Sequence, residues 1–282
     1  MFSLSNKARR VAIGAAGLGA LIGLAGVAGP AVAGTNLLHQ AKEKPTVVLV
    51  HGAWADGSSW DKVAAKLQDN GYPVVTPPNE LRGVTNDADN LRAYLNTITG
   101  PIILVGHSYG GMVITNAALG DKQVKALVYV DAYIPAQGDT VLSLTSAVPG
   151  SVFAADPGTL FNQVVVPHGP EHAADLYVKP SIFRTAFTGK SVPADEVALL
   201  AARQRPLSSA ALSEASGEPA WNTIPSWSVI GKQDAIIPPA EQVAMSKRAK
   251  AHTIEINAPH LSLVTAPSTV AGQIETAAKA TD

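Results

Sequence analysis

From residue 45 onward the chain alternates two hydrophobic rhythms. Short runs of β-branched residues, apolar without a break, are separated by longer stretches in which apolar positions recur every three or four residues. That alternation marks βαβ units and a parallel sheet buried on both faces. The runs at 46–50, 74–76, 102–105, 124–130, 224–230 and 253–256 predict six parallel strands. Between the first two, Trp60, Val63, Ala64 and Leu67 share one helical face, with Ser58 or Ser59 as cap and Asn70-Gly71 as stop. Ala88, Leu91, Leu95 and Ile98 define a second helix that opens at Thr85 or Asn86 and ends before Gly100-Pro101. A third helix is predicted over 112–119, soon after the strand at 102–105.

The rhythm breaks between residues 135 and 221. Prolines recur throughout this interval, among them Pro135, Pro149, Pro157, Pro180, Pro193, Pro206 and Pro219, with helical stretches such as Ala194–Ala202 between them. An unstructured loop of this length inside a compact domain would be unusual. The interval therefore reads as a mainly helical cap, 135–221, inserted into an α/β core formed by 34–134 and 222–282. The alternative is a second domain. Strands of one sheet flank the interval on both sides, which makes a lid over that sheet the more economical reading.

The first 33 residues follow neither rhythm. Lys7, Arg9 and Arg10 precede an uncharged apolar run, and Ala31-Val32-Ala33 offers a small-x-small cleavage site before Gly34. This three-part pattern predicts an export signal peptide over 1–33, with the route, general or twin-arginine, left open. The competing reading is a membrane anchor, since the run is long enough to span a bilayer; its Ala and Gly content, its late Pro30 and the cleavage pattern favour removal. Cleavage would take three of the 21 basic residues and none of the 22 acidic ones, leaving a soluble chain of net charge −4 with no stable membrane insertion. No basic tract follows residue 42, so the electrostatic footprint of a nucleic-acid binder is missing. There is no cysteine, so the fold must be held by its core rather than by disulfides.

Candidate chemistry sits where the predicted strands end. Gly106-His107-Ser108-Tyr109-Gly110 follows the strand at 102–105 and precedes a helical stretch. A serine held in a sharp strand-to-helix turn needs small residues on either side, and this context separates a nucleophile elbow from a chance match. A glycine-rich phosphate loop would need a different glycine spacing or a Walker lysine, and neither is present. A serine hydroxyl needs a base, and the base needs an acid to fix its tautomer. His260, in the loop after the last strand, is the only histidine among the final thirty residues. Asp234, in the loop before that strand, is the preferred acid, in the chain order nucleophile, acid, base. Asp131, at the end of the strand 124–130, is its rival on the same sheet edge or else serves the start of the cap. The expected oxyanion donors are the backbone N–H groups of Tyr109, next to the serine, and Ala53, in His51-Gly52-Ala53-Trp54. His51 reads as a structural residue of that turn, and His107 as pointing away from Ser108.

Together these segments resemble the α/β-hydrolase superfamily, and within it the small cap-bearing branch of plant methylesterases, hydroxynitrile lyases and bacterial esterases. The carriers are Val48-Leu49-Val50-His51-Gly52-Ala53-Trp54, Gly106-His107-Ser108-Tyr109-Gly110-Gly111, the loop of Asp234, and Pro259-His260-Leu261-Ser262. The resemblance spans residues 45 to 278 and implies a serine triad beneath a mobile cap, with neither metal nor organic cofactor. Larger members open with two further strands, for which 34–44 leaves no room, so a reduced sheet is expected. Hydroxynitrile lyases of the branch carry a threonine in the oxyanion loop and a lysine beside the histidine. Gly52 and Leu261 stand there in this chain, which disfavours cyanohydrin cleavage.

The expectation is an exported serine esterase acting on a small-molecule ester with Ser108, Asp234 and His260, in the periplasm, cell envelope or medium. Its rivals are a lyase or cofactor-free haloperoxidase using the same triad, and a secreted ligand-binding module that keeps the fold without catalysis.

Overall fold

In the computed structural model, which describes residues 43–165 and 173–282, the six apolar runs stand side by side as one parallel sheet. The expected leader at 1–33 lies outside the described residues. In chain order the first part of the core holds β1 (Thr46–Val50), α1 (Asp61–Asp69), β2 (Val74–Val75), α2 (Val84–Leu95), β3 (Ile102–His107), α3 (Gly110–Ala117) and β4 (Val124–Val130). The interval then contributes α4 (Val141–Ser146), α5 (Pro157–Leu160), β5 (Phe161–Val165), β6 (Ala174–Val178), α6 (Pro180–Phe183), α7 (Ala194–Ala202), β7 (Leu207–Ser208) and α8 (Ala210–Ser213). The core resumes with β8 (Ser226–Gly231), α9 (Pro239–Arg248), β9 (His252–Ile256), α10 (Ser262–Thr265) and α11 (Pro267–Ala280).

The sheet order is β2-β1-β3-β4-β8-β9. Every residue of β3 is buried, as a central strand covered on both faces demands, and continuous apolar runs are what such strands require. The chain steps from β1 outward to β2, crosses back over β1 to β3, and then proceeds the other way to β4, β8 and β9. Right-handed crossovers taken in opposite directions put α1 on one face and α2, α3 and α9 on the other. In agreement, α1 packs with α11 and α2 with α3. The reversal lies between β1 and β3, and the carboxyl ends of strands that diverge in this way leave a crevice.

Several boundaries differ from the expectation, each for a physical reason. The first helix is capped not by Ser58 or Ser59 but by Asp56, whose carboxylate accepts from Ser58 N–H at 2.9 Å and starts a single 3-10 turn ahead of α1. Neither Thr85 nor Asn86 caps α2. Its first free amides, Val84 N–H and Thr85 N–H, are taken by the Glu214 carboxylate at 2.7 and 2.9 Å, from the far side of the interval. The same helix stops at Leu95, short of Ile98, which still packs on the core from the following turn. β3 runs two residues further than expected, to His107, and α3 starts earlier, at Gly110.

Among the described residues, the interval between β4 and β8 contributes no strand to the main sheet. Most of its regular structure is helical, as expected. It also contains a three-stranded antiparallel sheet, β5-β6-β7, that the proline spacing did not anticipate. Lys42–Asp282 is one compact unit. Leu160, Phe161, Leu176, Val178, Phe183 and Phe187 of the interval join the same apolar core as the sheet. Among the described residues no helix is long and apolar enough to cross a membrane.

Candidate active site

Ser108 follows the last residue of β3, and its φ of 52° is one that side chains other than glycine rarely adopt. The turn closes because its neighbours lack side chains. A β-carbon on Gly106 would lie 2.6 Å from the Gly110 carbonyl oxygen, and one on Gly110 would lie 2.7 Å from the Val50 carbonyl oxygen. Ser108 is further braced from β4, donating its N–H to Val130 O at 3.3 Å while its carbonyl accepts from Tyr133 N–H at 3.3 Å. The strained serine is thus over-determined by its surroundings, the condition under which such backbone geometry persists.

The histidine and aspartate expected as base and acid reach it from the loops after β9 and β8. Ser108 Oγ lies 2.9 Å from His260 Nε2, and His260 Nδ1 lies 2.7 Å from Asp234 Oδ2. With Ser108 as donor to Nε2, the imidazole carries its proton on Nδ1 and donates it to Asp234. Both the histidine and the aspartate side chains are completely buried. Asp234 accepts three further bonds, from Ile236 N–H at 2.8 Å, Ile237 N–H at 3.0 Å and the Gln242 amide at 2.7 Å. Burial pulls His260 toward its neutral form. The Asp234 charge, the hydrogen bond to it and the Asp131 charge outweigh that pull and leave its pKa above the ordinary 6.5. Asp131, the rival acid, makes no hydrogen bond to His260; its carboxylate accepts from Gly231 N–H at 2.8 Å and Ser262 N–H at 3.1 Å.

Three supporting residues were not picked out from sequence. His107 turns away from Ser108 as expected, but its Nε2–H donates to the His260 carbonyl at 3.0 Å, and the two rings lie 4.8 Å apart. Burial, then the charge of His260, keep His107 well below the usual histidine range, so it acts as a neutral donor. Gln242 on α9 reaches the acid from a position eight residues on. Asp87 on α2 accepts from Tyr109 Oη at 2.9 Å, so it tethers the residue that follows the nucleophile. Each partner lies far away in sequence or on another element. Only the buried polar type of the residue hinted at a role.

Ala53 and Tyr109 flank the serine. Among the described residues neither backbone N–H has an acceptor within the protein, and both residues line the cavity that Ser108 opens into. The start of α3 directly after Tyr109 adds the positive end of a helix dipole. His51 is structural, as expected: Nδ1–H donates to Gly52 O at 2.9 Å, Nε2 accepts from Asn79 N–H at 3.0 Å, and burial keeps its pKa low. A β-carbon at Gly52 would meet Ser108 Cβ at 2.6 Å, so this position admits no side chain.

The cavity itself measures about 90 Å³ and is walled mainly by Trp54, Phe153, Phe161, Leu176, Leu207 and Leu212. Among the described residues no charged side chain lines it. Its polar side chains are already engaged: Tyr133 Oη with Thr145 Oγ1 at 2.6 Å, and Trp54 Nε1 with Leu176 O at 2.8 Å. Among the described residues no group of three His, Asp or Glu side chains is arranged to hold a metal ion.

A model of the alpha/beta hydrolase family matches residues 47–273. Among curated proteins, the carbendazim hydrolyzing esterase of Nocardioides sp. (strain SG-4G) is 37% identical over 123 residues, covering 38% of this chain and 50% of that enzyme, so the chain spans half the length of that relative. Methylesterase 18 of Arabidopsis thaliana is 26% identical over 228 residues, 73% of this chain and 86% of that protein. Among solved structures, tomato methylketone synthase I superposes with a TM-score of 0.69 at 19% identity, over 85% of this chain and 99% of that one. A pyrethroid hydrolase from Sphingobium faniae JZ-2 superposes with a TM-score of 0.64 at 22% identity, over 84% and 98%. At such identities the two superpositions speak for the fold.

Proposed function

The chain belongs to the alpha/beta hydrolase family, and on that premise we propose that it is an exported serine esterase, cleaving carboxylic esters through an acyl-enzyme on Ser108. The reading rests above all on one observation, the unbroken hydrogen-bonded series from Ser108 Oγ through His260 to Asp234, at 2.9 and 2.7 Å. It draws support from relatives named as a carbendazim hydrolyzing esterase and a methylesterase.

Ser108 Oγ attacks the ester carbonyl while its proton passes to His260 Nε2. Asp234 holds the imidazole in the tautomer that can accept that proton and offsets the charge that results. The carbonyl oxygen, now an oxyanion, takes the free N–H groups of Ala53 and Tyr109; a donor of this kind lowers the barrier by about 3 kcal/mol. His260 then returns the proton to the leaving alkoxide, which departs as the alcohol. Water repeats the sequence on the acyl-serine and releases the acid.

The cavity wall narrows the substrate. A lining that, among the described residues, has no charged side chain and no free side-chain donor penalises a charged acyl or alcohol group, because its hydration would be lost without replacement. The substrate is therefore a neutral ester with a small or medium apolar group. Cyanohydrin cleavage is disfavoured, since position 52 has no room for the threonine that hydroxynitrile lyases of this branch carry. Export belongs to the same proposal and rests on the basic, apolar and Ala31-Val32-Ala33 pattern of the first 33 residues. Sequencing the amino terminus of protein recovered outside the cytoplasm checks it, with Gly34 expected first.

A fluorophosphonate probe tests the nucleophile. Wild type should label and Ser108→Ala should not; absence of labelling in both would sink the reading. A series of p-nitrophenyl esters of rising chain length, run beside an aliphatic cyanohydrin, then reports the substrate class.

A further inference from the structure

Asp131 lies at the end of β4 and takes no part in the steps above. It is completely buried, and at φ 45° its backbone is in the left-handed region. An ionised side chain survives in such a place only where its lone pairs are filled. Here two backbone amides from separate loops supply one bond to each oxygen. Gly231 N–H donates to Oδ1 at 2.8 Å, and Ser262 N–H donates to Oδ2 at 3.1 Å. Gly231 ends β8, three residues before Asp234, and Ser262 opens α10, two residues after His260. The main chain continues the bracing, because Asp131 N–H donates to Val229 O at 2.9 Å and the preceding residue, Val130, receives Ser108 N–H. One short turn therefore touches the roots of all three members of the triad.

We propose that Asp131 is a positioning residue of the esterase site: its carboxylate clamps the Gly231 and Ser262 amides, so that Asp234 and His260 meet Ser108 in register. This rests on the triad reading above. Asp131 is not a spare acid, since it has no hydrogen bond to His260. Its charge nevertheless acts on the base. The titratable groups that face His260 are Asp234 from the loop after β8, Asp131 from the end of β4 and His107 from the end of β3, with His51 behind His107. Burial, then the Asp234 charge, raise the Asp131 carboxyl to about 7, against the smaller pull of His260 and of the Ser262 hydrogen bond. In its ionised form Asp131 adds a smaller share to that of Asp234 in holding His260 above its ordinary value.

Asp131→Asn tests the clamp, because it keeps the shape but turns an NH2 group toward one of the two N–H donors and removes the charge. The expected result is a kcat lower by about 10- to 100-fold, with KM nearly unchanged and the acid limb of the kcat/KM profile displaced to lower pH. Fluorophosphonate titration supplies the concentration of competent sites. A kcat per competent site and an acid-limb midpoint that both match wild type overturn the proposal. So does a loss of activity that only follows the fraction of folded protein with the midpoint unmoved. Asp131→Gly covers the case in which the asparagine variant folds poorly, since glycine tolerates the left-handed backbone. Added formate should then restore part of its kcat, and no restoration counts against the clamp. If wild type itself fails to label on Ser108, the triad reading falls. If wild type labels and the Asp131 variants behave as wild type, only this proposal does.

Discussion

The two walls of the cavity are built by opposite rules. On the sheet side, each functional group is polar, buried and held from more than one direction: Asp234 by four donors, His260 through its ring and its carbonyl, Ser108 through a strained turn braced by β4. On the inserted side, most of the side chains that line the cavity are apolar and held by contact, with Thr145, bonded to Tyr133 Oη, the polar exception among the described residues. The insertion is fastened to the core at its rim, through Arg82 with Asp175, Arg248 with Asp139 and Lys62 with Glu196. These pairs are partly exposed and contribute little individually. A hydrogen-bonded wall has few acceptable arrangements, whereas a wall of Phe and Leu can be recut with a modest loss. The sheet side should therefore govern turnover, and the insertion should govern which ester is turned over.

The strongest break of this contrast is Asp234→Asn. The carboxylamide loses its grip on the correct tautomer of His260, and kcat should fall by about 10⁴-fold. KM should stay within a few-fold of wild type for short and long esters alike. Steady-state kinetics on both esters decide the matter. A loss confined to one ester would mean that the acid also shapes the pocket.

Phe161→Ala probes the opposite wall and should have a smaller effect. Phe161 stacks on Trp54 with ring centroids 5.3 Å apart, and both line the cavity. Removing the ring opens space for a longer acyl chain, so the ratio of kcat/KM for p-nitrophenyl octanoate over acetate should rise by about tenfold. If kcat falls for every ester with the ratio unchanged, the insertion is part of the chemical machinery and the division between the walls fails.

The pH profile sharpens the same division. His260 must be neutral to accept the serine proton, so kcat/KM falls as pH drops through its pKa. Because Asp234 and Asp131 outweigh burial, the midpoint of that limb should lie above 6.5. The limb reports the free enzyme, so it should be the same for acetate and octanoate esters and unmoved in Phe161→Ala. A midpoint below 6.5 would contradict the electrostatic balance assigned to His260.

What sequence could show follows the same line between the walls. Buried parallel strands are apolar runs, and functional loops leave their carboxyl ends, so the six strands, the turn at Ser108 and the loops of Asp234 and His260 were legible. The choice between Asp234 and Asp131 was harder, because both emerge from neighbouring strands on one edge. Reach separates the two in the structure: Asp234, three residues beyond β8, hydrogen-bonds the imidazole, whereas Asp131, fixed at the end of β4, bonds backbone amides instead. The insertion was less legible. In β5 only Phe161 is buried and the next four residues are exposed, so no alternation announces a strand, and β7 is two residues long. Long-range polar partners such as His107 with the His260 carbonyl leave no local pattern at all.

The smallest expected effect concerns a seam between the two regions. Glu214, just past α8, supplies the acceptor that α2 lacks at its own start, where Gly83 offers no side chain. Unfilled amides at a helix N-terminus are costly, and a missing cap is worth about 1 kcal/mol. Glu214→Gln keeps one acceptor oxygen and loses the other, so Tm should fall by about 2–4 °C. Turnover should stay within about twofold, because Glu214 is outside the cavity. The same helix carries Asp87, however, which holds the Tyr109 hydroxyl beside the nucleophile. A tenfold loss of kcat at unchanged KM in Glu214→Gln would mean that the insertion reaches the chemistry through α2, Asp87 and Tyr109. The two walls would then be one mechanical unit, and selectivity could not be recut without touching turnover.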